Sequence, residues 1–277
     1  MLADWLVAHE AALRLGCFLA VLALMLALQV WLPLRGDGRW SGRQLTNVGL
    51  VLIGTLLIRL ALPVLAVGWA LQVDQRGWGL LPALGLPFWW QVAGAVLLLD
   101  LAIYWQHRLF HRIPWLWRLH RVHHSDLAFD TTTGVRFHPL ELLLSLLIKL
   151  GVIALLGAPA VGVLLFEILL SAGALFTHAD IALPRRLDRR VRWLFVTPSM
   201  HRIHHSPRRH ETDSNYGFHL SIWDRLFRSY RAAPEHPEQS MPIGLEDWRD
   251  AAAQRLWPLL RQPLDSPPRA AQRNDHA

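Results

Sequence analysis

The sequence predicts an all-α integral membrane helical bundle of about four or five membrane-embedded helices, carrying a polar helical cap rich in histidine. Two observations support this. Of the 277 residues, 53% are hydrophobic and only 18% are charged, which is too apolar for an ordinary soluble domain of this length. The apolar residues also gather into runs approaching the roughly 17–25 residues that cross a hydrocarbon core of about 30 Å.

The runs follow in order. Residues 15–34, LGCFLAVLALMLALQVWLPL, make a first span. Without a short basic start or a small-residue cleavage site, it reads as a retained span rather than a removable signal. The loop RGDGRWSGR with Arg35, Arg39 and Arg43 follows, then a second span over roughly 47–71. Within it Pro63 predicts a kink and Arg59 is an awkward interior charge. A nearly neutral loop, 72–87, precedes a third span over roughly 88–106, which opens on Phe88, Trp89 and Trp90 as an interfacial anchor and runs directly into His107. Runs 140–157 and 160–177, joined by Ala158–Pro159, are short and read as a helical hairpin that crosses or dips into the bilayer. Beyond His178 the chain is polar, and the stretch after Arg261 has a disordered composition. The expected division is 1–87 with two spans, 88–232 with the histidines, and 233–277 as a cytoplasmic, partly disordered tail.

Charge sets the expected orientation. Lys and Arg total 28 against 21 acids, a net +7, and Lys149 is the only lysine. These bases alternate with apolar runs instead of forming a polar face interleaved with aromatics, so nucleic acid is not the expected partner. Arginines cluster at 35–43, at 108–121 and at 185–192, after the first, third and fifth runs. The positive-inside rule puts all three clusters in the cytoplasm and the N-terminus outside, with five crossings. Low lysine with high arginine and tryptophan fits a bacterial chain of high genomic GC content, and the expected location is the bacterial inner membrane with the histidines facing the cytoplasm. The single cysteine, Cys17, excludes a disulfide framework and a thiolate metal site.

The polar region reads His107-x-x-x-His111, His120-x-x-His123-His124 and His201-x-x-His204-His205. Positions three and four apart share a helix face, so His107 with His111, and His120 with His124, can grip one ion. Adjacent residues diverge by about 100°, so His123 and His124 do not easily serve the same one. A doublet in each triplet therefore predicts two metals side by side. His178, closing the fifth run at the depth of His107, is a further candidate ligand, with His138 and His219 as weaker ones. His138 can equally be the residue that starts the next helix. Asp100, buried in the third span, is a functional candidate by default and can orient an imidazole from another helix. Asp126 and Asp180 are candidate acceptors for ligand N–H groups, and Glu167 reads as a contact between helices.

All-nitrogen ligation suits iron, copper, zinc or nickel and disfavours magnesium, calcium or an iron–sulfur cluster. Two adjacent redox metals at a membrane surface suit oxygen chemistry on a lipid better than hydrolysis, which usually adds carboxylate bridges and a general base. HRLFH, HRVHH and HRIHH, with RFHPLE at 136–141 and DSNYGFHLSIWDRLF at 213–227, resemble the fatty acid hydroxylase/sterol desaturase superfamily of membrane di-iron oxidases. The likeness runs from about residue 95 to 230. It implies two iron ions on His107, His111, His120, His123, His124, His201, His204 and His205, with His178 a further ligand, and O2 as cosubstrate. It also implies hydroxylation or desaturation of a membrane lipid, such as a sterol or fatty acyl chain. Electrons would come from a separate donor protein of ferredoxin, cytochrome or reductase type. The competing readings are a membrane metal-binding or transport protein and a zinc-dependent membrane hydrolase.

Overall fold

A computed structural model of the chain describes residues 1–266, and the regular elements among them are all helices, with no strand. The principal helices are α1 (Glu10–Trp31), α2 (Arg43–Ala61), α3 (Ala66–Gln75), α4 (Phe88–Arg112), α5 (Pro114–His124), α6 (Pro139–Leu156), α7 (Ala160–Thr177), α8 (Pro198–His204) and α9 (Leu256–Arg261). Five helical segments are long and apolar enough to cross a membrane: α1, the interrupted Arg43–Ala83 segment, α4, α6 and α7. The hairpin helices α6 and α7 have 18 residues each, about 27 Å at 1.5 Å per residue. The 25 residues of α4 reach about 37 Å, so its last turns, with His107 and His111, project beyond a hydrocarbon layer into the cap.

The second span is broken rather than kinked. Helix α2 ends at Ala61, Leu62 turns extended, and the helix resumes only at Ala66. Proline forbids the helical conformation to the residue before it and removes a donor, and Pro63 does both here. The two pieces still run along one neighbour. A side chain at Gly54 would meet Leu142 near the start of α6, and Trp69 Nε1 donates to the Leu150 carbonyl at 2.9 Å in its middle.

Helix α7 is the most enclosed of the five. Its Val163, Leu164 and Phe166 form the main core with Ala95, Leu99 and Ile103 of α4, Ile153 of α6, and Ala66 and Ala70 of α3. Glu167 on the same helix pairs with Lys149 at 2.5 Å and Arg14 at 3.0 Å, a charged contact between three helices. Leucines along α1 and α2 face outward.

Proline at the first helical position starts each of the helices α5, α6 and α8, where its fixed φ and missing N–H cost nothing. Pro114 thereby closes α4 and opens α5 with a sharp turn that folds the second histidine cluster back on the first. The stretch after Arg261 differs from its compositional reading as far as Ser266. Gln262 is buried, its carbonyl accepts from the Arg121 guanidinium, and α9 packs Leu259 against Leu50 and Val122. The rest of that reading falls on 267–277, outside the described residues.

The far end of the α6–α7 hairpin turns at Gly157, with φ +61, and a side chain there would lie 2.2 Å from the Trp78 carbonyl. Gly157→Ala is expected to lower unfolding stability by at least about 2 kcal/mol, from left-handed strain plus a backbone clash. Thermal denaturation in detergent measures this; an unchanged midpoint would refute the role given to this turn.

Candidate metal centre

The clusters arrive from four directions. The end of α4 brings His107 and His111, and the last turn of α5 brings His120, His123 and His124. Helix α8 brings His201 and His204, with His205 as its C-cap, and the C-cap of α7 is His178. They sort into two groups, His107, His111, His120, His124 and His204, and His123, His178, His201 and His205; within each, one ring nitrogen per residue lies within 4.8 Å of all the others. Both doublets are split between groups, as the 100° step between neighbours requires.

Hydrogen bonds assign the tautomers. Nδ1 of His107 lies 2.8 Å from the Tyr216 carbonyl, that of His204 2.7 Å from the Ser214 carbonyl, and that of His178 2.7 Å from the Ala174 carbonyl. His123 Nδ1 sits 3.2 Å from the Arg136 carbonyl, and His120 Nδ1 2.6 Å from Glu141 Oε1. Carbonyl oxygens only accept, and so does the Glu141 carboxylate when ionised, so each of these Nδ1 atoms then carries the hydrogen and each Nε2 presents a lone pair. Those lone pairs face one another. His107 Nε2 is 3.1 Å from His120 Nε2 and from His204 Nε2, and His178 Nε2 is 3.2 Å from His123 and His205 and 3.0 Å from His201.

Lone pairs at that separation repel unless a cation lies between them. Nitrogens about 2.1 Å from a shared ion, at near right angles, stand about 3 Å apart, so the spacing fits one ion per group. Nε2 of His111 and both ring nitrogens of His124 are also buried without a partner, a cost that ligation removes; His201 and His205 face the centre through Nε2 and leave Nδ1 buried without an acceptor.

Burial keeps these rings neutral. It holds His120 down to about 3 and His178 to about 4. It pushes His123, His124, His201, His204 and His205 well below the ordinary histidine range, with repulsion between the imidazoles adding to it. Neutral imidazole is the form that binds a metal.

The acceptors differ from the expected ones. Asp126 and Asp180 touch no imidazole of either group. Asp126 holds Arg43 at 2.5 Å, Asn47 Nδ2 at 3.2 Å and Thr133 Oγ1 at 2.9 Å. Asp180 accepts from the backbone N–H groups of Arg35, Gly36 and Asp37. Asp126 braces the first turns of α2 and Asp180 the loop before it. The groups that orient the rings are four backbone carbonyls, invisible to sequence, and Glu141, whose signal was a lone carboxylate in the first turn of an apolar helix.

His138 and His219 stay outside both groups. His138 caps α6, accepting from Leu140 N–H at Nδ1 and donating from Nε2 to the Leu260 carbonyl at 3.1 Å. His219 Nδ1 lies 2.7 Å from Asp100 Oδ1, while Trp223 Nε1 donates to Oδ2 at 2.8 Å. Asp100 thus orients an imidazole from another segment, though not one belonging to either group.

Positioning residues missed in sequence lie in DSNYGFHLSIWDRLF. Asp224 accepts from Tyr216 and Gly217 N–H and from Ser229 Oγ, fixing the turn whose carbonyl orients His107; burial raises its carboxyl to about 6. Asn215 ties that turn to the Met200 carbonyl of α8.

Two cavities reach the histidines. One, of about 260 Å³, is lined by apolar residues such as Phe18, Ile103, Phe110, Leu142 and Phe218 from the membrane helices and the cap, and ends at His107, His120 and Glu141. The other, of about 320 Å³, meets His111 on the cap side among Arg112, Trp117, Arg209 and Asp213.

Residues 92–229 match the model of the fatty acid hydroxylase family. The chain is 30% identical over 177 residues to an ornithine lipid hydroxylase from Rhizobium tropici, covering 64% of this chain and 52% of that one. It is 30% identical over 149 residues to alkylglycerol monooxygenase from Homo sapiens, covering 53% of this chain and 32% of that one. A very-long-chain aldehyde decarbonylase from Oryza sativa subsp. indica is 32% identical over 195 residues, covering 65% of this chain and 28% of that one. The chain therefore spans about half or less of the length of these curated relatives. No solved structure matches.

Glu141→Ala should weaken metal binding by about 10–100-fold through loss of the acceptor behind His120, measured by competition with a chelator; unchanged affinity would refute that role. For the metal-free protein, rings held at about 3 and 4 bind protons in the unfolded state first, near pH 6.5. Their contribution to stability is complete above that pH and falls as the pH drops from about 6.5 toward 4. Denaturant midpoints across this window check the sign.

Proposed function

Over residues 92–229 the chain belongs to the fatty acid hydroxylase family of the fatty acid hydroxylase/sterol desaturase superfamily, and from that premise we propose a membrane-bound, O2-dependent di-iron oxidase that hydroxylates or desaturates a lipid. The observation that carries the proposal is the pair of imidazole groups with facing lone pairs at the end of an apolar chamber.

His107, His111, His120, His124 and His204 would hold one iron, and His123, His178, His201 and His205 the other. Bound there, an iron pair supplies the reduction of O2 and an oxidant able to take hydrogen from an unactivated C–H bond. The chain's own residues do the rest. Carbonyls of Tyr216, Ser214, Ala174 and Arg136, with Glu141, fix His107, His204, His178, His123 and His120 through Nδ1, so that their Nε2 lone pairs point inward. Phe110, Leu142 and Phe218 exclude water from the chamber and present an aliphatic chain to His107 and His120.

A lipid would enter from the bilayer side. A separate electron donor would approach the cap, where the cavity at His111 carries Arg112 and Arg209. The arginine distribution supports an inner-membrane protein with this cap in the cytoplasm. A hydrolytic zinc pair is less well supported, because among the described residues both groups consist of histidine alone. A transport path is less well supported too, since the histidines gather at one end of the bundle.

Purified protein is expected to carry close to two irons. His204→Ala and His123→Ala, one from each group, should each lose metal and abolish turnover. Full iron and full turnover in both variants would end the proposal, and product formation without oxygen would favour hydrolysis. Lipid profiles of a deletion strain against wild type should lack a species differing by one oxygen or two hydrogens.

A further inference from the structure

The chamber is apolar except at one corner. Gln106 Nε2 donates to Ser145 Oγ at 2.9 Å, which leaves Gln106 Oε1 buried with no partner. Glu141 gives Oε1 to His120 and keeps a buried, unpartnered Oε2. Gln106, Glu141 and Ser145 all line the same cavity. Its other polar hydroxyl, Ser171 Oγ, is satisfied by the Glu167 carbonyl. A chamber for bare hydrocarbon gains nothing from an unmet amide oxygen beside an unmet carboxyl oxygen, because polar atoms buried without a partner are costly. A donor arriving with the ligand removes that cost.

Resting on the lipid-oxidase reading, we propose that this corner selects lipids bearing a hydroxyl or amide N–H a few bonds from the carbon presented to the imidazoles. Gln106 Oε1 accepts that hydrogen, Ser145 holds the amide in orientation, and Glu141 Oε2 offers a second polar contact nearer the imidazoles. The spacing follows from α6, where Glu141 and Ser145 are four residues, about 6 Å, apart along the axis, and Glu141 contacts His120. At about 260 Å³ the chamber is below the roughly 300–1,000 Å³ that takes a whole drug-sized molecule. It therefore admits one stretch of a lipid, and a donor on that stretch fixes which carbon faces the histidines.

The test measures equilibrium binding to zinc-loaded protein in detergent micelles, so no oxidation is involved. The probes are a long-chain 1-alkanol and the 1-fluoroalkane of equal chain length, which lacks the donor. Wild type is expected to prefer the alkanol by about tenfold. Gln106→Leu should erase the preference by weakening the alkanol alone, and Ser145→Ala should reduce it. Equal binding of both probes by wild type, or a full preference kept by Gln106→Leu, overturns the proposal; the wild-type comparison decides even if the variant does not fold. A preference without any oxygen-dependent oxidation in the iron-loaded protein would sink the oxidase reading alone, and oxidation without a preference would sink only this one.

Discussion

Nine imidazoles kept neutral in a buried space, each with a lone pair turned toward the others, are the constraint the rest of the structure serves. Such an arrangement is unfavourable by itself, because it desolvates many polar rings and sets lone pair against lone pair. It becomes favourable when cations occupy the two centres, and a fixed acceptor behind five of the nine rings lowers the cost further. The cap is built to supply those acceptors. Loops 214–217, the carbonyl of Arg136 and the final turn of α7 all bring oxygen atoms to Nδ1 hydrogens.

The holding structure extends outward from there. Arg136 is fully buried and donates to Val122 O, Asn47 Oδ1, Ser125 Oγ and Gln254 Oε1, so the guanidinium that fixes the end of α5 also ties α2 and the C-terminal region to it. Arg202 lies 5.0 Å over the Phe129 ring, and Phe129 packs against His178. Asp126 and Asp130 pair with Arg43 at the start of α2, and Asp180 accepts from backbone N–H groups of the loop before it. These carboxylates stabilise the cap one layer out, and this layering explains why acids near the histidines in sequence do not touch them in space.

The membrane helices give the site its setting. Five segments deliver an apolar chamber to one face of the histidine groups, while the cap leaves a polar opening at His111 on another. The apolar chamber and the polar opening thus reach the histidine groups through different residues, and the unpartnered oxygens of Gln106 and Glu141 lie in the apolar one.

Apolar run length and arginine placement, set by the thickness and the surface charge of a bilayer, were legible in the sequence as spans. The histidine spacing was legible too, because helical periodicity alone decides which neighbours share a face; it separated His123 from His124 without any coordinates. The break at Leu62–Leu65 was half legible, since a proline announces a disruption but not its size. The sequence could not show which oxygens orient the rings, because four of them are backbone carbonyls whose positions depend on how distant turns pack. Nor could it show that Gln106, Glu141 and Ser145 share one chamber. That follows from α4 lying against α6, a contact between residues remote in the chain that only tertiary packing decides.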